Sequence, residues 1–450
     1  MARQFGGSPL YDYEIRRRRL PLAGSAAVLI AVALLYAQML ALGGDSAALA
    51  ACAAAAAAVL APVVLLLMRP AESILVRALP CVGLLLLAML WAALPATGLA
   101  GSAVPRPAPD LLPLELAKFV GFVACVVIGV AIGSGVGATR RFCDLFVVFG
   151  LAYVLLSLWM LQENPGAVWG IARADWRPRF SGTMFNANVA ACVFAVIAIV
   201  AWGRLRVLLK PRSRARTTLH ISYTVVVAFA AAMATAACAM TGSRFVLVVL
   251  MAATLISLAG AARDLLRSHN RNPLIPMLAL GVAVVALLLI FGEPVFTRFR
   301  TASTDLDLRM FAIPHFAGLA TTSPWFGYGL GAFEAAHLAS LDPQSAPVVW
   351  SFGAAHNALV EAAIEGGWPY VALISLAVAY VLWRVARAAR RGPGDAITTS
   401  FVTALAAILL CAMIDIALSF PAVAAMSATM LGLVLGRAER TLLTVRDQPA

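Results

Sequence analysis

Long apolar runs separated by short polar stretches are the main pattern of this chain. A helix that crosses a bilayer needs about 20 apolar residues, and twelve segments come close to that length. They are 21–42, 46–68, 74–94, 114–133, 142–161, 186–202, 218–240, 244–262, 274–292, 368–384, 398–415 and 418–436. The pattern therefore predicts an all-α polytopic membrane protein with about 12 transmembrane helices.

The basic residues fall mainly in alternate segments between these helices. When the N-terminus is placed in the cytoplasm, 25 of the 34 Lys and Arg residues lie on the cytoplasmic side, as the positive-inside rule requires. Both termini are then predicted to be cytoplasmic. The net charge of +13 sets orientation on this interpretation and does not indicate binding to nucleic acid.

Composition excludes a soluble protein, because 62% of the residues are hydrophobic and only 12% are charged. The seven cysteines lie in or beside apolar segments without metal-ligand spacing, so neither disulfides nor a metal site is predicted. We divide the chain into N-terminal helices 1–5 over residues 1–161 and a second region over residues 162–450.

Three segments on the side opposite the cytoplasm are long enough to hold a site: 95–113, 162–185 and 293–367. The last separates predicted helices 9 and 10, and loops beyond about 15 residues are usually functional or disordered. Its helical patterning and aromatic residues predict an ordered lid that is partly embedded in the membrane.

Polar residues of two strings on this side are candidates for binding an anion. "WRPRFSGTMFNANVAA" carries Arg179, Asn186 and Asn188 just before the sixth helix, and Arg244 begins the eighth. An Asn N-cap accounts for one of the two asparagines. A snorkelling side chain is the alternative for Arg244, but the positive-inside rule makes an arginine between two closely joined outer helix ends unexpected.

A third string opens with Asp305 and Asp307, followed by Arg309 and a glycine-rich loop, "PWFGYGLGAF". The two aspartates suit the acid-rich start of a helix better than a metal site for a nucleotide sugar. Glycines would let the backbone approach a ligand closely. We therefore retain Arg309 and the loop as candidates.

The string "HNALVEAAIEGG" begins at His356. Asn357 is a favourable N-cap and Gly366 a favourable residue just after a helix, which predicts a helix of about two turns over 358–365. Asn357, Glu361 and Glu365 then share one stripe of it. His356 lies at the positive end of this helix, which favours the neutral imidazole, a form that can accept a proton. A histidine that merely completes the helix end is the alternative.

Together these strings resemble the O-antigen ligase/polymerase superfamily of membrane glycosyltransferases over roughly residues 170–436. The matching positions are Arg179, Gly182, Thr183, Asn186 and Asn188; Thr241, Ser243 and Arg244; Arg309, Pro324, Gly327, Gly329, Gly331 and Phe333; and His356, Asn357, Glu365 and Gly366. Ala187 departs from the family pattern, which usually has proline there. The last helix is similar to that of the exopolysaccharide-polymerase branch.

The resemblance implies an inverting, metal-independent glycosyltransferase without a cofactor, in the bacterial inner membrane, with its site on the periplasmic face. The donor would be a polyprenyl-diphosphate-linked glycan, and the acceptor a lipid A core sugar or another lipid-linked glycan. His356 would be the general base, with Arg244 and Arg309 as the other catalytic residues. The remaining candidates would bind substrate: Arg179, Asn186, Asn188, Asn357, Glu361 and Glu365.

Alternatives remain open at this stage. A multi-pass transporter of an anionic solute or lipid-linked glycan also fits twelve helices, although such proteins usually show interrupted helices in both halves and ionisable residues at mid-membrane. A non-catalytic scaffold is a third possibility. Ligase and polymerase, in lipopolysaccharide or exopolysaccharide biosynthesis, are not separated by these strings.

Overall fold

The computed structural model describes residues 22–44, 46–98, 106–172, 179–209, 218–267, 302–391 and 395–446, without the side chains of 264–267, 302–310 and 445–446. Within these ranges the chain is nearly all helical. The α-helices are α1 Leu22–Leu40, α2 Ala47–Met68, α3 Glu72–Ala93, α4 Leu112–Ser134, α5 Val136–Glu163, α6 Ala187–Leu209, α7 Thr218–Met240, α8 Arg244–Arg267, α9 Ala302–Thr322, α10 Phe333–Ala339, α11 Ala346–Val349, α12 Ala358–Arg391, α13 Ala396–Ala412 and α14 Pro421–Arg446.

A two-stranded antiparallel hairpin departs from the all-α prediction. β1 (Ala167–Val168) pairs with β2 (Ile171–Ala172). Trp169 and Gly170 form its turn, both with positive φ, as a tight two-residue hairpin turn requires. The Trp169 indole donates to the carbonyl of Leu40 at 2.8 Å, which fixes the hairpin to the end of α1.

Ten helices of the described ranges are long and apolar enough to cross a membrane. They are α1 to α8, α12 and α14, so the chain is a multi-pass membrane protein. The predicted segment 398–415 corresponds to the shorter apolar helix α13, of 17 residues. The predicted segment 274–292 lies outside the described residues.

Helices α4 and α14 cross at very short distance because glycines face each other. A Cβ added at Gly432 would lie 1.9 Å from the carbonyl oxygen of Val126, and one at Gly129 would lie 2.1 Å from that of Thr429. Gly133 and Gly436 repeat the arrangement one turn further on. Each helix thus contributes a pair of glycines four residues apart, the spacing that permits backbones to touch in a bilayer.

Buried ion pairs fix the opposite end of the bundle, away from His356. Glu439 of α14 is fully buried and pairs with Arg384 of α12, while Arg77 of α3 lies 3.8 Å from the same carboxylate. Removing one partner of such a pair typically costs about 3–5 kcal/mol. These charges hold α3, α12 and α14 in one arrangement.

Residues 302–357 form a helical cap that contains α9, α10 and α11. Its core joins Phe316, Phe333, Val349 and other apolar side chains to Ile364 of α12. The lid predicted over 293–367 includes this cap, and residues 293–301 of that prediction lie outside the described residues.

The glycine-rich loop 324–331 packs against a break in α12. At Gly367 φ is 76° and ψ is 172°, a conformation that is essentially restricted to glycine. The break leaves the carbonyls of Ile364 and Glu365 accessible, and they accept from the amides of Tyr328 at 2.7 Å and Gly329 at 2.9 Å. The predicted helix over 358–365, with Gly366 directly after it, therefore ended one residue too early, and α12 resumes after the break at Gly367 to reach Arg391.

Candidate functional site

His356 lies at the junction between the cap and the start of α12. Its backbone is left-handed, with φ of 53°, and Asn357 then caps the helix. The Asn357 Oδ1 accepts from the amides of Leu359 and Val360, and its Nδ2 donates to the carbonyl of Met413 at 3.0 Å. Asn357 therefore joins the start of α12 to the turn between α13 and α14, residues 413–420.

Asp415 of that turn faces the imidazole. Its Oδ1 lies 3.6 Å from the His356 Nδ1, slightly beyond hydrogen-bond distance. This Nδ1 is enclosed, whereas 24% of the His356 side chain remains exposed. The ring of Phe352 packs edge-on against the imidazole at 5.1 Å between centroids.

A series of hydrogen bonds leads from Asp415 to the arginines. The Asn188 Nδ2 donates to Asp415 Oδ2 at 2.6 Å, and the Asn188 Oδ1 accepts from Arg179 Nη2 at 3.1 Å. Arg179 also donates through Nε to the carbonyl of Thr241 at 3.0 Å. We call Arg179, Asn188, Asp415 and His356 the polar series.

Arg244 begins α8, directly after the turn that Arg179 contacts. Thr241 is buried within this turn, and its Oγ1 accepts from the amide of Ser243 at 3.2 Å. Two predicted strings that are distant in sequence thus meet at one end of the bundle. Arg309 belongs to α9 of the cap, but its side chain is outside the described residues.

Two predicted binding residues have clear structural contacts. Asn186 accepts from the amides of Asn188 and Val189 at the start of α6, the contact expected of an N-cap. Glu361 accepts from the amide of Ala355 through Oε2 and from the Ser419 hydroxyl through Oε1. Glu361 thereby holds the segment before His356 against the 413–420 turn.

Glu361 and Glu365 also line a cavity that His356, Asn188, Arg179 and Asp415 do not line. The stripe predicted for Asn357, Glu361 and Glu365 therefore faces two different regions of the protein. Asn357 faces the 413–420 turn, whereas the two carboxyl groups border the cavity.

The glycines of the 324–331 loop let the backbone approach other helices closely, and their approach to a ligand stays a prediction. Gly327, Gly329 and Gly331 all have positive φ. A Cβ at Gly327 would lie 2.5 Å from the carbonyl carbon of Glu365, and one at Gly331 would lie 2.9 Å from Glu115 Cγ. Their close approach is to α12 and α4, which fixes the half-helix that follows His356.

Sequence reasoning missed Asp415 as a site residue. It stands alone among apolar residues in "LLCAMIDIALSF". An ionisable residue in such a run usually marks a functional site, and that signal was available. Its pairing with Asn188 and His356 depends on the contact between α6, α12 and the 413–420 turn, which no local pattern reveals.

This arrangement places a partly exposed imidazole beside a carboxylate, at the end of the bundle that carries Arg179 and Arg244. A carboxylate near the Nδ1 can orient the ring and stabilise its protonated form, and arginines bind phosphate oxygens two at a time. The geometry thus places the candidate base at the end of the bundle that carries two of the arginines predicted to bind an anion.

Comparison with curated proteins found no match. Residues 228–375 match the family model described as O-antigen ligase. The matched segment includes Arg244, the glycine-rich loop, His356 and Asn357, while Arg179, Asn188 and Asp415 lie outside it. The matched segment covers about a third of the chain and supports the resemblance to the O-antigen ligase/polymerase superfamily drawn from the motifs.

Proposed function

We propose that this protein is an inverting, metal-independent glycosyltransferase whose site faces the periplasm. It transfers or polymerises glycan from a polyprenyl-diphosphate-linked donor onto a lipid A core sugar or a second lipid-linked glycan. The observation that carries the proposal is the polar series, which links the His356 imidazole to Arg179 and to the turn before Arg244.

In the proposed reaction His356 accepts the proton of an acceptor hydroxyl. The hydroxyl oxygen attacks the anomeric carbon, the bond between that carbon and the diphosphate breaks, and the diphosphate leaves with the bonding electrons. A single displacement inverts the anomeric configuration. Asp415 stabilises the imidazolium that forms, because its carboxylate lies 3.6 Å from Nδ1.

The arginines act on the leaving group. Arg244 and Arg309 bind the diphosphate and stabilise its growing charge, since a planar guanidinium meets phosphate oxygens in pairs. Arg179 joins this surface to the base, because it contacts both Asn188 and the Thr241 carbonyl. Asn186 and Asn357 contribute by fixing the starts of α6 and α12.

The decisive test is His356→Ala in the reconstituted protein, with a polyprenyl-diphosphate glycan and a separate acceptor. We expect transfer to be abolished while donor binding and expression remain, because the imidazole acts on the acceptor proton. His220→Ala, near the start of α7 at the other end of the bundle, is the matched control and should retain activity. Transfer should also persist in a chelator.

Three outcomes would contradict the proposed function or the role of His356 in it. Near-normal transfer in His356→Ala would remove His356 from the chemistry. Loss of donor binding in His356→Ala, together with a Glu361→Ala variant that binds donor and fails only in turnover, would make Glu361 the base. Uptake of solute into vesicles without any glycan transfer would favour a transporter.

A further inference from the structure

A cavity of about 880 Å³ lies between α2, α4, α12, α13 and the start of α14. At the end of the bundle that carries His356 it is lined by Glu115, Lys118, Glu361 and Glu365. Away from these residues its walls are mainly alanine, leucine, valine and phenylalanine side chains. The volume falls within the range of small-molecule sites, about 300–1,000 Å³.

The cavity is separate from the polar series. The first turn of α12 and the 413–420 turn form the wall between them. Glu361 joins these two segments, because its carboxyl group accepts a hydrogen bond from the Ser419 hydroxyl at 2.9 Å. Glu361 and Ser419 line the cavity, whereas Asp415 and His356 lie beyond this wall. The polar groups nearest to a molecule in the cavity are therefore the carboxyl groups that line it, and not the residues of the polar series.

Charge at the polar end of the cavity disfavours phosphate. Lys118, the cation among the residues that line the cavity, forms an ion pair with Glu115, so its charge is already compensated. Both oxygens of Glu361 accept hydrogen bonds, from the Ala355 amide and the Ser419 hydroxyl. Carboxyl groups accept hydrogen bonds from hydroxyl groups but offer a phosphate no positive charge.

The apolar part of the cavity opens sideways. Ser375 and Ala379 of α12 and Ala406 of α13 line it and are exposed on the bundle surface. In a chain that crosses a membrane, such an opening faces lipid. A hydrocarbon chain can therefore enter from the bilayer while its headgroup lies near the carboxylates.

We propose that this cavity binds a lipid with one hydrocarbon chain and a phosphate-free headgroup rich in hydroxyls, as in an alkyl glycoside. The site excludes the diphosphate donor and is distinct from the surface that contains Arg179 and Arg244. It goes beyond the proposed function and does not require transfer activity.

The test uses two photoreactive probes on the protein in lipid nanodiscs: dodecyl glucoside and dodecyl phosphate, each with a diazirine at the chain end. We expect the glucoside to label peptides of α2, α4, α12 or α13, and the phosphate to label them at least about tenfold less, a difference of about 1.4 kcal/mol. Equal or stronger labelling by the phosphate would overturn the proposal, as would no labelling by either probe.

Variants make the test specific to the cavity. Ala379→Phe and Ala406→Phe fill it and should each reduce glucoside labelling about tenfold, or about 1.4 kcal/mol. Ala372→Phe is the matched control, because Ala372 is exposed on α12 but does not line the cavity; its labelling should be unchanged. Glu365→Gln keeps a hydrogen-bonding group at this position and should preserve labelling by the glucoside.

The remaining outcomes are also informative. Glucoside labelling that persists in both filled variants would place the lipid elsewhere and overturn the proposal. Labelling needs no turnover, so a protein that is labelled as expected but transfers no glycan contradicts only the proposed function. A protein that transfers glycan without cavity labelling contradicts only this inference.

Discussion

His356 has a left-handed backbone, which residues with a side chain rarely adopt. Such conformations cost about 1–3 kcal/mol and are concentrated at functional sites. Here the conformation turns the chain so that the imidazole faces Asp415 while the next residue, Asn357, caps α12. The turn thus couples the position of the ring to the start of a helix.

Asp415→Asn should lower kcat for transfer by about 100-fold or more, which lies within the usual contribution of acid–base catalysis. The amide keeps the shape of the carboxyl group but no longer stabilises the imidazolium. KM for the donor should change little, because Asp415 acts through His356. Kinetics at saturating donor would check this. A variant that loses donor affinity instead would show that Asp415 acts on the arginine surface.

Replacing an arginine with lysine keeps the positive charge and removes the planar guanidinium group, so it tests which of the two the site needs. Arg244→Lys and Arg309→Lys should each lose about 3–4 kcal/mol of transition-state stabilisation, a factor of roughly 10² to 10³ in kcat/KM. The reason is that an ammonium group cannot replace a planar fork with paired donors. Initial rates of glycan transfer give the measurement, and near-full activity in either variant would reduce that arginine to an anchor.

At the scale of elements, the break in α12 fixes the short half-helix that follows His356. The 324–331 loop fills the break, and a Cβ at Gly367 would lie 2.2 Å from the carbonyl oxygen of Trp325. The loop and the half-helix therefore move as one unit with the cap.

Gly367→Ala should destabilise the protein by about 1–3 kcal/mol, because alanine does not tolerate this backbone conformation. Transfer should fall as well, since the half-helix shifts. Gly353→Ala is the matched control: a Cβ there meets nothing within 4 Å. Thermal unfolding in detergent would measure both variants. Equal melting temperatures for Gly367→Ala and the parent would contradict the role given to the break.

The cap contains a histidine whose ionisation should weaken it. His337 is buried against Phe316 and Phe333, and its Nε2 donates to the Val349 carbonyl at 2.8 Å. Burial lowers the pKa of His337 from its usual value of 6.5. The unfolded cap therefore binds a proton more readily than the folded cap. The stabilisation is present above pH 6.5 and is lost as the pH falls through the lowered pKa.

We expect protection of the amides in residues 333–352 to decrease between about pH 7 and about pH 5, after correction for intrinsic exchange. Hydrogen exchange with mass spectrometry gives the readout. His337→Phe should abolish most of this dependence, because the ring stays apolar at every pH. The same loss of protection in both proteins would assign it to another group.

At the scale of the whole molecule, the orientation in the membrane can be tested directly. A reporter that is active only outside the cytoplasm should work when fused after residue 340 and fail when fused near residue 212. This follows from the basic residues in alternate segments. The reverse pattern would move the proposed site to the cytoplasmic side and overturn it.

The helices could be predicted from sequence because a bilayer requires apolar runs of nearly constant length. Ten of the predicted spans correspond to long apolar helices of the described residues. The Asn357 cap could be predicted for a similar reason, because an N-cap depends only on neighbouring residues. The first part of α12 ends one residue later than predicted, since Gly366 and Gly367 are adjacent and both suit a break in the helix.

Contacts between distant segments could not be predicted in this way. Asn188 and Asp415 meet across 227 residues of sequence, and neither has a local pattern that names the other. The facing glycines of α4 and α14 and the cavity depend equally on how helices pack. Residue types therefore indicated the chemistry, whereas the partners of each group required the folded chain.

The crossing of α4 and α14 has a consequence for synthesis in the membrane. The ribosome must add about 290 residues after the end of α4 before it reaches α14, which takes roughly 15–60 seconds at about 5–20 residues per second. Throughout that time the glycine face of α4 lies in lipid without the helix it fits. The cavity and the Asp415 end of the polar series are completed last, so a stalled or truncated chain inserts most of its helices and still lacks the site.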